Sequence, residues 1–207
     1  MTKKERVLRT IARKDIDYLP SNIYFASPET KLALQKAFAM SSGDALDEFL
    51  ENHLQITCLM DDIFRYRGDH EFLRRSEKTI FAKVDWATGH LQDRWGIGYD
   101  INTDGICVIH HPLKGASDAE LRKYQPPDPD VPGNYSMVEE DLGRYSREYL
   151  VLLSGYLGIF ERAWFLMGYE EFMMGIATNS RAVSVLLEKI LEYKLAVAKK
   201  TVALGFE

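Results

Sequence analysis

The sequence predicts an α/β protein whose parallel sheet is interrupted by one antiparallel excursion. Strand-length apolar runs alternate with helix-period segments along most of the chain. Two of those runs, Ile56-Thr57-Cys58-Leu59-Met60 and Tyr149-Leu150-Val151-Leu152-Leu153-Ser154-Gly155, are nearly continuous, as strands buried on both faces are. Residues 64 to 110 change character. Thr79-Ile80-Phe81-Ala82-Lys83-Val84 and Gly105-Ile106-Cys107-Val108-Ile109-His110 read as hairpin strands.

The elements follow in order. Thr2 caps a helix whose apolar positions are Val7, Leu8, Ile11 and Ala12. Pro20 disfavours helix at the residue before it, and Asn22-Ile23-Tyr24-Phe25-Ala26 reads as a short strand. Ser27-Pro28-Glu29 opens a helix with proline at its first position, running through Leu32, Leu34, Ala37 and Phe38. After Ser42-Gly43-Asp44, a further helix to about His53 carries Leu46, Phe49 and Leu50 on one face. Ile56–Met60 is a buried strand ending at Asp61-Asp62. Gln92 to Asp100 lies between the two hairpin strands, and the whole antiparallel insertion covers about 64–135. Pro126-Pro127-Asp128-Pro129-Asp130-Val131-Pro132-Gly133 must be an extended loop, because its fixed φ angles and missing donors suit nothing else. A polar helix over about 136–146 precedes the Tyr149–Gly155 strand. One helix is expected over Glu161–Ala177, with Met167, Met173 and Met174 as packing residues. Another runs from Asn179-Ser180 toward Leu204, with Lys199-Lys200 near its end and Gly205 as its stop.

Composition excludes several function classes. Hydrophobic residues are 46% and charged residues 28%, ordinary for a folded globular chain. The net charge is −5, and no basic cluster is dense enough to track a phosphate backbone, so nucleic acid is not expected as a partner. No apolar run approaches the roughly 18–20 residues a membrane span needs. Cys58 and Cys107 are far apart and outside any Cys-x-x-Cys pair. With a charged N-terminus and no apolar signal core, they suggest free thiols in a reducing cytoplasm. Gly96-x-Gly98 lacks a third glycine and a βαβ setting, which rejects a dinucleotide loop.

Three stretches carry a family resemblance. The opening, Lys4-Glu5-Arg6-Val7-Leu8 through Asp17-Tyr18-Leu19-Pro20, resembles the first helix and Asp-x-x-Pro turn of uroporphyrinogen decarboxylase-like proteins. Asp93-Arg94-Trp95-Gly96, with His111-Pro112-Leu113 and Pro127-Asp128-Pro129, is similar to the D-x-W-G … P-L … P-D-P pattern of that superfamily's methyltransferase-like branch. Gly158-Ile159-Phe160-Glu161-Arg162-Ala163-Trp164 through Gly168-Tyr169-Glu170-Glu171-Phe172 resembles its strand-to-helix passage.

The resemblance implies a (β/α)8 (TIM) barrel with its site at the C-terminal ends of the strands. Such a barrel takes about 250 residues. Residues 1–207 are accordingly expected to be the N-terminal portion of one, a partial barrel with the antiparallel insertion. Of the two branches, one moves a methyl group from a methyl-corrinoid to a thiol. Its zinc-binding His-x-Cys … Cys set lies in the second half of the barrel, so no metal ligand is assigned here. The other decarboxylates uroporphyrinogen, a tetrapyrrole. Its Arg-Gln-Ala-Gly-Arg segment is replaced here by Asn22 to Ser27, whereas Ala163-Trp164-Phe165-Leu166-Met167-Gly168-Tyr169 is similar to its P-W-T-L-M-T-Y stretch. A third reading is a non-catalytic half-barrel that binds a partner or a corrinoid protein. The isolated chain is expected to show no substantial activity. A half-barrel's exposed apolar faces would favour a homodimer or aggregation.

The resemblance marks Glu161, Asp62 and Tyr169 as catalytic candidates. It marks Arg162, Asp61, Trp95, Asp93 and Tyr24 as substrate-binding candidates. Each has a plainer reading. Glu161 suits the positive end of a helix, and Arg162 an internal ion pair. Asp61 or Asp62 suits a helix N-cap. Asp93 and Trp95 are either a lid edge or the packing of the insertion. Tyr169, beside Tyr156 and Phe160, suits the core. His110 and His111, adjacent on a strand, point to opposite faces and do not readily share a metal.

Overall fold

The structure, a computed structural model, describes residues 1–25, 28–62, 73–74, 77–78, 82–102, 107–153 and 157–206. It is mixed α/β and divides into two compact units, Met1–Cys58 with Met137–Ser154, and Leu59–Ser136 with Gly155–Glu207.

The first unit begins with α1 (Lys3–Ile11), where the Thr2 hydroxyl accepts the Glu5 N–H at 3.0 Å. Arg6 is buried on this helix. Its guanidinium forks onto Asp17 at 2.7 and 2.8 Å, stacks on the Tyr18 ring at 3.8 Å and donates to His53 Nε2 at 3.0 Å. Arginine can only donate, so His53 Nε2 must accept. The ring therefore carries its proton on Nδ1 and donates to the Ser21 carbonyl at 3.0 Å. Helices α2 (Pro28–Ala37) and α3 (Gly43–Phe49) follow. Ser42 caps α3, Lys31 pairs with Asp47 at 2.9 Å, and the Phe38 and Phe49 rings meet at 5.1 Å. Leu46 is fully buried, but Phe49 is half exposed. Strand β1 (Leu54–Thr57) starts and ends earlier than expected.

The expected strand over 22–26 does not form in its described part. One parallel bridge, Ser21 to Asn52, takes its place. Beyond it the buried Asn52 side chain does the work of a neighbouring backbone. Its Oδ1 accepts the Ile23 N–H at 2.7 Å, and its Nδ2 donates to the Ile23 carbonyl at 3.2 Å and to Asp47 at 2.9 Å. Asn52→Ala removes all three bonds from a site with little water. It is expected to cost about 2–3 kcal/mol, read as a lower urea midpoint at unchanged m. A loss under about 0.5 kcal/mol would mean that solvent satisfies Ile23 instead.

The second unit carries an antiparallel meander in the order β2 (Ala82–Asp85), β3 (His90–Asp93), β4 (Gly98–Asp100), β5 (Cys107–His110). This is the expected excursion; its residues 64–72, 75–76, 79–81 and 103–106 lie outside the described ones. One face of the sheet, with Ala82, Leu91, Asp93 and Tyr99, is buried, while Lys83, Asp85, His90 and Gln92 face outward. Helix α4 (Asp118–Lys123) starts with a Ser117–Glu120 capping box. The proline-rich segment is irregular, as expected.

Helix α5 (Ser136–Tyr145) then returns the chain to the first unit. Its Tyr145 hydroxyl reaches Asp44 at 3.1 Å. Strand β6 (Leu150–Leu153) pairs in parallel with β1, Leu54 opposite Leu150 through Thr57 opposite Leu153.

The single helix expected over 161–177 is two, α6 (Ile159–Met167) and α7 (Tyr169–Ala177). Gly168, at φ +86°, is the joint, a backbone setting that only glycine adopts cheaply. The break turns Met173 and Met174 outward (38% and 62% exposed), against the expectation that they pack; Met167 is buried. Helix α8 (Arg181–Ala203) is capped by Ser180 and buries Val183, Leu186, Ile190, Tyr193 and Val197. No helix among the described residues is long and apolar enough to cross a membrane.

Candidate functional site

Asp93 ends β3 and organises the second unit's polar centre. Its Oδ1 accepts the N–H groups of Trp95 and Ile97, both at 2.9 Å, which closes the loop to β4 around Gly96 (φ +81°). Its Oδ2 accepts the Tyr99 hydroxyl at 2.9 Å and Arg162 Nη1 at 3.2 Å. Burial raises the Asp93 carboxyl above the ordinary carboxylate range, while Arg162, the two backbone donors and Tyr99 pull it back. With both oxygens engaged, Asp93 positions Arg162 and shapes the loop; it has no oxygen left over for a substrate.

Arg162 lies on the first turn of α6. Burial works against its charge, but Asp93 and the nearby Tyr99, Tyr193 and Asp61 outweigh it and raise its pKa further. The guanidinium stacks 4.5 Å over Trp95, and its side chain is 14% exposed. Nη1 is committed to Asp93. Tyr99 is a further hydrogen-bond partner of this guanidinium. Trp95 is buried (5% exposed) and meets the Tyr193 ring edge-on at 4.7 Å; its carbonyl accepts the Tyr124 hydroxyl at 3.0 Å.

Tyr193 links this group to Asp61. Its hydroxyl donates to Asp61 Oδ2 at 2.9 Å, and Arg94 Nη1 approaches the same oxygen at 3.5 Å. Arg94 also donates to the Asp128 carbonyl at 2.8 Å, and the Asn134 side chain accepts the Asp61 N–H at 3.1 Å. Burial raises the Asp61 carboxyl; Tyr193, Arg94, Arg162 and Asn134 oppose it. Oδ1 is the oxygen engaged by neither Tyr193 nor Arg94, and a raised carboxyl of this kind is suited to give or take a proton.

Of the sequence candidates, Arg162, Asp61, Asp93 and Trp95 therefore meet in one cluster. Asp62 is buried nearby in the chain (9% exposed) and acts electrostatically on Lys194. The Glu161 carboxylate folds back against Gly158, where a Cβ would collide with it; this is the helix-start position of the plainer reading. Tyr169 is 55% exposed, with ring contacts to Phe160 and Trp164 at 6.4 and 6.1 Å, so it is neither in the cluster nor in the core. Tyr24 is half exposed in the first unit. His110 is exposed at the end of β5; His111, just past the strand, hydrogen-bonds the Phe165 carbonyl at 2.8 Å.

The sequence reading missed Lys194. It lies on α8, one residue past Tyr193, and its Nζ donates to the Leu157 carbonyl. Burial, then Arg162, lower its pKa to about 8, against the pull of Glu161 and Asp62. The direction fixes a stability profile. Below pH 8 the folded and unfolded chains are both protonated here. Between about 8 and 10.5 the unfolded chain keeps a proton the folded one has lost, so this residue's contribution to stability rises with pH. Lys194→Met is expected to remove that rise. Its melting temperature relative to the parent should be highest near neutral pH and fall toward pH 10.5. A difference independent of pH would contradict the lowered value.

Among the described residues no three His, Cys, Asp or Glu side chains are grouped to hold a metal. Neither the exposed Cys107 nor the buried Cys58 is in a disulfide. No family model, curated protein or solved structure matches this chain.

Proposed function

We propose that this chain is a uroporphyrinogen decarboxylase-like protein, related to the branch that transfers methyl groups from a corrinoid to a thiol. One observation carries the reading: the stretches that resemble that superfamily touch one another. Asp93 holds Arg162, and Arg162 stacks on Trp95. Arg94 reaches the carbonyl of Asp128 in the Pro127-Asp128-Pro129 stretch. Pro112 lies against Gly96, and Leu113 N–H and His111 Nδ1 bond to the Leu166 and Phe165 carbonyls of α6. Residues far apart in the chain that resemble one pattern thus share one packed centre. The parallel order in the first unit also fits the start of a barrel, with residue 21 bridging beside β1 and β1 beside β6.

Zinc, which that branch uses, has no fitting ligand group among the described residues, and no step is drawn through it. What the cluster offers is the Arg162 cation for an anionic group and the Asp61 carboxyl for a proton. That pair favours a second reading, decarboxylation of a tetrapyrrole carrying several carboxylates, in which an arginine fork holds one carboxylate and Asp61 protonates carbon. Because the chain by itself is expected to turn over neither substrate, the test reads binding. Retention of methylcobalamin supports the first reading, and retention of uroporphyrinogen supports the second. Absence of measurable binding of either would overturn the proposal.

A further inference from the structure

The outer face of the β2–β5 meander is the floor of an open cleft of about 600 Å3. The strand register sets its side chains in two rows. One row crosses the sheet as Lys83, Gln92, Gly98 and His110; the other, two residues along, begins with Asp85 and His90. A bulge builds the β5 side. Gly98 pairs with His110 and Tyr99 with Val108, so Ile109 is an extra residue. Regular alternation would send either Ile109 or His110 to the buried face, whereas with the bulge both line the cleft. A Cβ at Gly98 would stand 2.8 Å from the His110 Cβ, so glycine lets the histidine come this close and leaves bare backbone as the floor between Gln92 and His110.

The two ends of the cleft offer opposite chemistry. Lys83 and His110 make no hydrogen bond or ion pair to any described residue, and the Gln92 amide makes only a long bond, 3.4 Å, to the Gly96 carbonyl. That end presents donors. The other end presents carboxylates. Asp85 closes the β2–β3 turn by accepting the Ala87 and Thr88 N–H groups at 3.0 and 3.4 Å, and it has His90 beside it. Glu77 accepts Trp86 Nε1 on Oε2 at 3.1 Å, which leaves Oε1 without a donor among the described residues. We propose that this cleft binds a sugar phosphate, its phosphate over Gln92 and Gly98 between Lys83 and His110, its hydroxyls toward Glu77 and Asp85. Strands lie about 4.8 Å apart, so Lys83 and His110 stand on opposite sides of that point and within side-chain reach of it. Donors arriving from several sides suit the three terminal oxygens of a phosphate better than a planar carboxylate. The carboxylates at the far end repel a second anionic group but accept hydroxyls. The two rows are roughly 6–7 Å apart, which matches the separation of phosphate and hydroxyls in a pentose or hexose phosphate. This inference uses the exposed face of the sheet and is independent of the uroporphyrinogen decarboxylase-like reading, which uses Asp93 on the buried face.

The test titrates the intact, isotopically labelled chain with glucose-6-phosphate and, separately, with inorganic phosphate and with glucose, following amide shifts by NMR. Shifts are expected at Gln92, Gly98 and His110, with the ester bound at least about tenfold more tightly than either inorganic phosphate or glucose. Lys83→Met should weaken both the ester and inorganic phosphate about tenfold. Glu77→Ala should weaken the ester without weakening inorganic phosphate. Lys83 is exposed and Glu77 partly so, and neither change removes core packing. Inorganic phosphate bound as tightly as the ester would mark an adventitious ion only and overturn the proposal. Shifts confined to other parts of the chain, an ester affinity unmoved by Lys83→Met, or no binding at millimolar concentration would overturn it as well.

Discussion

Asp93→Asn is expected to cost about 3–5 kcal/mol in the stability of the second unit, the range for removing one partner of a buried ion pair. All four partners of this side chain are donors: the N–H groups of Trp95 and Ile97, the Tyr99 hydroxyl and Arg162. A carboxylate accepts at both oxygens, but an amide accepts at one and donates from the other. Whichever way asparagine turns, its NH2 faces donors. Either the loop to β4 loses its closure, or Arg162 is left buried with its charge uncompensated. Urea unfolding followed by tryptophan fluorescence reads the effect as a lower midpoint. A variant within about 1 kcal/mol of the parent would mean that Asp93 is already protonated and weakly engaged.

Trp95→Ala is expected to cost a similar amount, about 3–5 kcal/mol, by a different route. The indole fills the space between the Arg162 guanidinium and the Tyr193 ring, so its loss leaves a cavity lined by one cation and one aromatic edge. Tyr193 then holds Asp61 less firmly, and any Asp61-dependent activity should fall with stability. Trp95→Phe retains most of the packing and should recover more than half of the loss. The double variant Asp93→Asn with Trp95→Ala should cost less than the sum, because both changes release the same arginine. Simple additivity would show that Arg162 does not couple them.

Much of this was legible in the residues. Capping signals placed α1 and α8, and the apolar runs placed β1 and β6, because a side-chain hydroxyl before a helix and a buried strand both leave local marks. That the strand expected over 22–26 does not form in its described residues 22–25 was not legible. What replaces its ladder is the amide of Asn52, about thirty positions along, which a local pattern does not register. Gly168 was visible, but a lone glycine in an apolar helical stretch reads as a modest propensity cost; only its positive φ makes it a joint. In the site, Arg162, Asp61, Asp93 and Trp95 stood in recognisable stretches. Lys194 did not. It sits midway along a 23-residue helix with Lys189, Lys199 and Lys200, and nothing in its neighbours' spacing marks it. Its setting comes from the chain reversal that brings Leu157 to it.

The closure of the β3–β4 loop has a kinetic side. The amide hydrogens of Trp95 and Ile97 are both held by one carboxylate oxygen, whose partner oxygen is tied to α6 through Arg162. Neither amide can meet solvent by fraying of the loop tip alone, because its release also requires the helix contact to give way. In hydrogen–deuterium exchange these two loop positions should therefore behave like the core of a helix, opening in the same cooperative event as α6, although by sequence they occupy a hairpin turn.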